Sequence, residues 1–359
     1  MRICAKLFLL VLFPQTNFYR IFLKKLFSIF NDDESVAVNS KFVSFAYNLI
    51  LEMSQQQLSI LIISYNRPED ALSLLENLKD QHGFNEIAGE VLLLNNASTV
   101  SYEIIKNFKE KNPGFPLIYF ENDENAGVAK GRNFLIKKAA FALLLVVDDD
   151  VVFAESNAIT KVAALFQKPQ YVENNTAVIT LNIFYFSTKE RQKEALPHKN
   201  YDEYKNKSWF FTYYFTGAAH LMRKELFEKT GYYPSDFFYG MEEYDLSYRI
   251  IDAGYSLAFD ADVKVLHKES PKGRLANKEK LKMMWFNKSK VAFTYLPQKY
   301  FYTTAFFWSL FYLKKTGFDL NGFFENWKKI KEIPARVSVK KIDKKSLNYL
   351  KKVRARLWY

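Results

Sequence analysis

From Leu58 onward the chain repeats one unit, a near-continuous apolar run followed by a turn and a helical stretch, and that repetition leaves few architectures open. LSILIIS over 58–64 leads through the turn YNRPED into ALSLLENLKDQ, whose apolar positions recur at helical spacing. EVLLL over 90–94, a helix over 101–111, a short strand over 117–120, a helix over 129–140 and FALLLVV over 141–147 continue the alternation. Strands that are apolar on both faces and separated by helices predict an α/β fold, with a mostly parallel central sheet and helices on both faces. Ligands of such sheets gather at the carboxyl ends of the strands. The loops 64–70, 95–100 and 148–150 are therefore the expected binding loops.

The acidic run Asp148, Asp149 and Asp150 directly follows a buried strand. Three adjacent carboxylates repel one another unless a cation is near, and oxygen donors of this kind select a hard divalent ion such as Mg²⁺ or Mn²⁺. Away from a strand end the same run would read as a solvated loop. NAGVAKGRN over 125–133 opens a helix, and Gly127 and Gly131 there allow close approach of a ligand to the backbone. It is neither a Walker loop nor a dinucleotide fingerprint, which argues against ATPase and NAD-enzyme readings.

FFYGMEEYDLSYR over 237–249 runs from an aromatic loop into a helix. At helical spacing Glu242, Asp245 and Arg249 share a face, with Asp245 and Arg249 placed for an i,i+4 pair. Glu242 is thus expected to help hold the helix, and Glu243 to point elsewhere, free to act as a base. His267 closes DVKVLH, a strand-like run. A lone histidine there would be structural, but the acidic loop makes it a candidate ligand.

In this order the motifs from about Leu58 to His267 resemble glycosyltransferase family 2, over roughly 210 residues. LSILIISYNRPED resembles that family's first strand, NNAST its second nucleotide loop, NAGVAKGRN its asparagine and glycine helix start and VVDDDV its DxD motif. The stretch from Thr216 to His267 resembles the acceptor half. The resemblance implies a GT-A type nucleotide-sugar fold and an inverting, metal-dependent transfer with Mn²⁺ or Mg²⁺. It implies that Asp148 and Asp150 bridge ribose, metal and diphosphate and that His267 completes the metal site. Ser64, Tyr65, Arg67, Asn95, Asn125, Gly127, Arg132 and Asp149 are then expected near the nucleotide sugar. Glu243 stands at the position of the usual base, with Glu242 beside it. On the same scaffold the rival reading is a non-catalytic nucleotide-sugar or glycan-binding protein.

Charge is uneven along the chain: residues 271–359 hold 22 Lys+Arg against 5 Asp+Glu, leaving 29 against 34 in residues 1–270. Within the basic tail Tyr300 to Leu313 reads YFYTTAFFWSLFYL, with Lys299 before it and Lys314 and Lys315 after it. Fourteen residues are too few to cross a bilayer in a helix, which takes about 20. The segment is expected to lie in the interface of an anionic membrane, or else to dock as a buried helix. Nucleic acid is not an expected partner. At the other end MRICAKLFLLVLF begins like a signal peptide, but Pro14 and bulky residues stand where a cleavage site would be. Residues 1–52 are read as an extension, either membrane-touching or an artefact of start-site choice ahead of Met53. Residues 53–275 are read as the catalytic domain and 276–359 as a basic, aromatic, helical appendage. The lone cysteine, Cys4, excludes a disulfide framework and fits a reducing cytosol. The expected setting is the cytoplasmic face of a membrane, with a glycan or lipid-linked acceptor and a role in surface polysaccharide synthesis.

Overall fold

The computed structural model describes residues 58–272 and 275–358. The expected extension over residues 1–52, with Cys4, lies outside the described residues. The first half follows the repeating unit: β1 (Leu58–Ser64), α1 (Pro68–Lys79), β2 (Ala88–Asn95), α2 (Glu103–Lys111), β3 (Leu117–Glu121), α3 (Gly127–Lys138) and β4 (Leu143–Asp148). Then come β5 (Val151–Phe153), α4 (Ala158–Ala164), β6 (Thr176–Tyr185), β7 (Trp209–Thr212), β8 (Ala219–Arg223), α5 (Glu242–Asp252) and β9 (Ser256–His267). The tail forms α6 (Asn277–Tyr295), α7 (Gln298–Thr316), α8 (Leu320–Arg336) and α9 (Lys344–Lys352).

Local chemistry accounts for the regular elements. In α1, Pro68 sits in the first turn, where its missing N–H costs nothing, Glu69 and Asp70 favour the positive helix end, and Lys79 favours the negative one. Its buried Ala71, Leu74, Leu75 and Leu78 form one stripe. Along β1 the side chains alternate: Leu58, Ile60 and Ile62 enter the core under α1, α2 and α4, and Leu61 enters the core under α3 and α5. Burying each such residue contributes roughly 1.5–3 kcal/mol.

The strands lie in the order β3-β2-β1-β4-β8-β6-β9-β5, with β7 on β9. β3, β2, β1 and β4 are parallel, and the direction reverses where β8 joins β4. Register then fixes the place of the polar loops. Ser64 lies beside Asn95, and Ile63 beside Asp148, so the expected binding loops share one edge. His267, at the end of β9, pairs with Val151 and so stands beside the acidic loop, 117 positions after Asp150 in sequence.

In the tail, α6, α7 and α8 enclose a small core around the fully buried Trp285, whose indole N–H donates to the Ala305 carbonyl at 3.0 Å. Helix α7 is apolar on both sides. Tyr300, Phe301, Ala305 and Tyr312 face inward, while Tyr302, Phe306, Phe307, Leu310 and Phe311 are exposed. Among the described residues no helix is long and apolar enough to cross a membrane.

Candidate active site

The carboxyl edge opens onto a cleft of about 1100 Å³, bounded by the β1, β2 and β4 loops, the start of α3, the start of α5 and His267. Asp148 is the partly exposed member of the acidic run, while Asp149 and Asp150 are fully buried. Asp149 turns into the protein, where it accepts from Ser64 Oγ at 2.5 Å and pairs with Arg67 Nη2 at 2.7 Å. Burial nevertheless pushes its carboxyl up to about 8, against the Arg67 charge. Asp150 Oδ2 takes the other arm of the same guanidinium at 2.8 Å and the Ser270 N–H at 3.0 Å, and Oδ1 lies 3.2 Å from His267 Nε2. Burial opposes charge on His267, but the Asp150 carboxylate, together with Asp148 and Glu269, offsets it and the pKa is raised.

One ligand atom each from Asp148, Asp150 and His267 lies within 4.8 Å of the others. Two carboxylate oxygens and an imidazole nitrogen at this spacing, next to an open cleft, fit a divalent cation. Sequence separation hides this convergence, and the β4 and β9 registers produce it.

Three of the residues expected near the nucleotide turn their side chains into the protein. The side chains of Ser64, Asn95 and Asp149 do not line the cleft. Ser64 spends its hydroxyl on Asp149 and the Tyr102 hydroxyl, and Asn95 on the Tyr119 hydroxyl and the Ser98 N–H. At a buried strand end a polar side chain must find protein partners, and these loops supply them. Tyr65, Arg67, Asn125, Gly127, Arg132 and Asp148 do line the cleft. Asn96, adjacent to the predicted Asn95, lines it as well; its amide donates to Asn125 Oδ1 at 2.9 Å and accepts from the Ala126 N–H. Asn125 in turn accepts from the Gly127 N–H at 3.0 Å. Gly127 has φ +75°, and a Cβ there would stand 2.7 Å from the Phe238 carbonyl, so glycine is required.

Across the cleft Arg132, nearly fully buried, reaches both acids at the start of α5. Its Nη1 lies 2.7 Å from Glu243 Oε1 and 3.4 Å from Glu242 Oε1, and its Nη2 donates to the Gly217 carbonyl at 3.1 Å. The same Nη2 is 3.6 Å from Asp148 Oδ1, so one guanidinium touches both acidic clusters. This overturns the expected division of labour on α5. Asp245 and Arg249 do pair, at 2.5 Å, but Arg249 spends its remaining donors on the carbonyls of Thr230, Gly231 and Tyr232, and Glu242 does not join them. Glu243 is not free either. A buried guanidinium requires carboxylates, and both glutamates answer it. Glu243 remains the more accessible, its side chain 15% exposed against 4% for Glu242. Burial raises the Glu242 pKa, the neighbouring Glu243 charge raises it further, and Arg132 opposes both.

Several cleft loops carry left-handed backbone at residues other than glycine: Asn66 (φ 58°), Ala97 (φ 61°), Met241 (φ 71°) and Glu269 (φ 53°). Conformations of this kind cost about 1–3 kcal/mol each and gather at functional sites.

The pattern that defines "Glycosyl transferase family 2" matches residues 59–231. An uncharacterized protein of Haemophilus influenzae is 35% identical over 193 residues, 52% of this chain and 98% of that relative. The chain belongs to glycosyl transferase family 2. Two uncharacterized glycosyltransferases of Bacillus subtilis, YwdF and YfnE, are each 24% identical, and the chain spans less than two thirds of their length, 63% and 65%. Among solved structures, GalNAc-T7 with UDP, GalNAc and Mn²⁺ superposes with a TM-score of 0.54 at 16% identity, over 84% of this chain and 58% of that one. A mannosyltransferase of Pyrobaculum calidifontis in complex with GDP-Man and Mn²⁺ superposes with a TM-score of 0.52 at 14% identity, over 86% of each chain. At such identities the likeness concerns the fold, which is GT-A. The protein is accordingly a glycosyltransferase, and Glu242, Glu243 and His267 lie beyond the segment that defines the family.

Proposed function

We propose that this glycosyltransferase moves a sugar from a nucleotide-diphosphate donor to a hydroxyl of a glycan or lipid-linked acceptor with inversion at the anomeric carbon. The observation that carries the reading is the meeting of Asp148, Asp150 and His267 within 4.8 Å on one side of the cleft, with Glu243 held on the other by the guanidinium that also contacts Asp148. A divalent ion, Mn²⁺ or Mg²⁺, held by Asp148, Asp150 and His267 would supply Lewis-acid neutralisation of the diphosphate leaving group. Glu243 takes the proton of the acceptor hydroxyl as the oxygen attacks the anomeric carbon from the face opposite the departing diphosphate. The new C–O bond forms as the old one breaks, and the proton ends on Glu243. Such a base contributes typically about 10²–10⁴-fold, and the rest comes from orientation. Arg132 holds the carboxylate in place, and Tyr65, Arg67, Asn125 and Gly127 form the donor side.

The exposed face of α7, with Tyr302, Phe306, Phe307, Leu310 and Phe311 between the flanking Lys299 and the pair Lys314 and Lys315, supports peripheral attachment of residues 276–359 to an anionic membrane. On this reading the enzyme works at the cytoplasmic face on a membrane-borne acceptor in surface polysaccharide synthesis. A panel of nucleotide sugars with Mn²⁺, scored by nucleoside diphosphate release, should give turnover with one donor class and none in excess EDTA. Turnover undiminished by EDTA would contradict the metal. The full chain should sediment with anionic vesicles and be partly released by salt, at about 1 kcal/mol per basic residue near the surface. A paired Phe306→Ser and Phe311→Ser change should abolish sedimentation, and a full chain that stays in the supernatant would contradict the attachment.

A further inference from the structure

After β6 the chain doubles back on itself. The Tyr185 N–H donates to the Glu190 carbonyl at 2.8 Å, and the Gln192 N–H to the Ile183 carbonyl at 3.0 Å. Because the end of β6 pairs with the end of β9, Tyr185 opposite His267, this return carries Gln192 to the outer side of His267. Gln192 is buried, and its amide has two partners: Oε1 lies 3.1 Å from His267 Nδ1, and Nε2 donates to Glu269 Oε1 at 2.8 Å.

An amide can be turned either way, but the carboxylate decides which way this one stands. An ionised glutamate only accepts, so the amide NH₂ must face Glu269, and the amide oxygen must face His267. An amide oxygen only accepts, so Nδ1 of His267 must carry the proton. Nε2 faces the Asp150 carboxylate at 3.2 Å, so it is the nitrogen left for a cation, which would displace its proton on binding. Glu269 is held there by backbone on both sides. It adopts φ 53°, the Lys268 N–H donates to the Asp150 carbonyl at 2.8 Å, and the Ser270 N–H donates to Asp150 Oδ2.

We propose that Gln192 is a positioning residue of the candidate metal centre, its orientation set by Glu269, and that the pair fixes His267 in the tautomer that presents Nε2 to a divalent cation. The proposal rests on reading Asp148, Asp150 and His267 as that centre. Outer partners of this type typically change metal affinity by about 10–100-fold.

Two readouts test it. The chain has only four histidines, so ¹⁵N-histidine labelling resolves the ring nitrogens of the protein with Mg²⁺ added. The His267 signals should show a protonated Nδ1 and an Nε2 shifted by the cation; a bare Nδ1 overturns the proposal. Mn²⁺ affinity, read by electron paramagnetic resonance, should fall by about 10–100-fold in Gln192→Leu. The exchange Gln192→Glu with Glu269→Gln restores an acceptor at Nδ1 and a donor between the two side chains, and should return both the tautomer and the affinity close to the unsubstituted values. Unchanged affinity in Gln192→Leu, or an exchange variant no better than Gln192→Leu, overturns the positioning role. Failure of the unsubstituted protein to bind Mn²⁺ would instead overturn the metal centre itself.

Discussion

The two acidic runs that face each other across the cleft, Asp148 to Asp150 and Glu242 to Glu243, solve the same electrostatic problem with different geometry. In the first, Arg67 uses both arms of its fork, one on Asp149 and one on Asp150. In the second, a single nitrogen of Arg132 meets both glutamates, at 2.7 and 3.4 Å. Each run has a deeply buried acid, Asp149 or Glu242, and at least one other that borders the cleft. The guanidinium bridging the two carboxylates leaves Asp150 fixed but still facing His267. With one nitrogen shared between two carboxylates, burial and the Glu243 charge raise the Glu242 pKa against the opposing Arg132 charge. Adjacent carboxylates in a sequence are thus sorted by which of them an arginine from another element can reach.

The largest effect that would break this comparison is removal of Arg132. Arg132→Met leaves buried acids without their cation and should cost about 3–5 kcal/mol of folding stability in denaturant titration. Adding Glu242→Gln to that variant should restore part of the loss, because it replaces one of the two crowded acids with a neutral amide. A loss below about 1 kcal/mol would mean that the acids are solvated and the two runs are not comparable. Next in size is the contrast within the first run. Asp150→Ala should stay folded and lose Mn²⁺ binding, whereas Asp149→Ala should cost about 1–3 kcal/mol through the partners it strands. Equal behaviour of the two variants in both measurements would erase the distinction between the cleft-facing and the committed acid.

The smallest effect is in pH dependence. Glu242 has its pKa raised by burial first and by Glu243 second, so the folded state keeps a proton that the unfolded chain has already released. The stability tied to that proton is fully present below the ordinary glutamate range and is lost as pH rises through the raised folded value. The melting temperature of the unsubstituted protein should therefore fall from mildly acid to mildly alkaline pH, and Glu242→Gln should flatten that fall. A Glu242→Gln profile parallel to the unsubstituted one would contradict the assignment.

The same comparison marks where the sequence can be read and where it cannot. Apolar runs such as LSILIIS and FALLLVV disclose the parallel half of the sheet, because a strand buried on both faces leaves no other pattern. Asp148, Asp150 and His267 were legible as candidate ligands by residue type and by position at strand ends. The division of labour between Glu242 and Glu243 was not legible. Spacing within α5 pointed Glu242 at Arg249, but its real partner, Arg132, lies on α3, 110 positions away. Asn96, Gly217 and Gln192 escaped for the same reason. Gly217 matters because a Cβ there would run into the Glu243 carboxylate and the Arg132 guanidinium, a contact made only by the folded cleft. The reversal of strand direction at β8 depends on which strand finds β4, and no local pattern encodes that.

The central claim, that Glu243 is the base and Glu242 its buried neighbour, is tested most directly by comparing Glu243→Gln with Glu242→Gln in single-turnover transfer with donor binding measured in parallel. Glu243→Gln keeps the size of the side chain but cannot take the proton, so transfer should fall by at least about 10²-fold with donor binding nearly unchanged, while Glu242→Gln should retain most of its activity. A folded, donor-binding Glu242→Gln that is inactive beside an active Glu243→Gln would contradict the account and move the base one residue back.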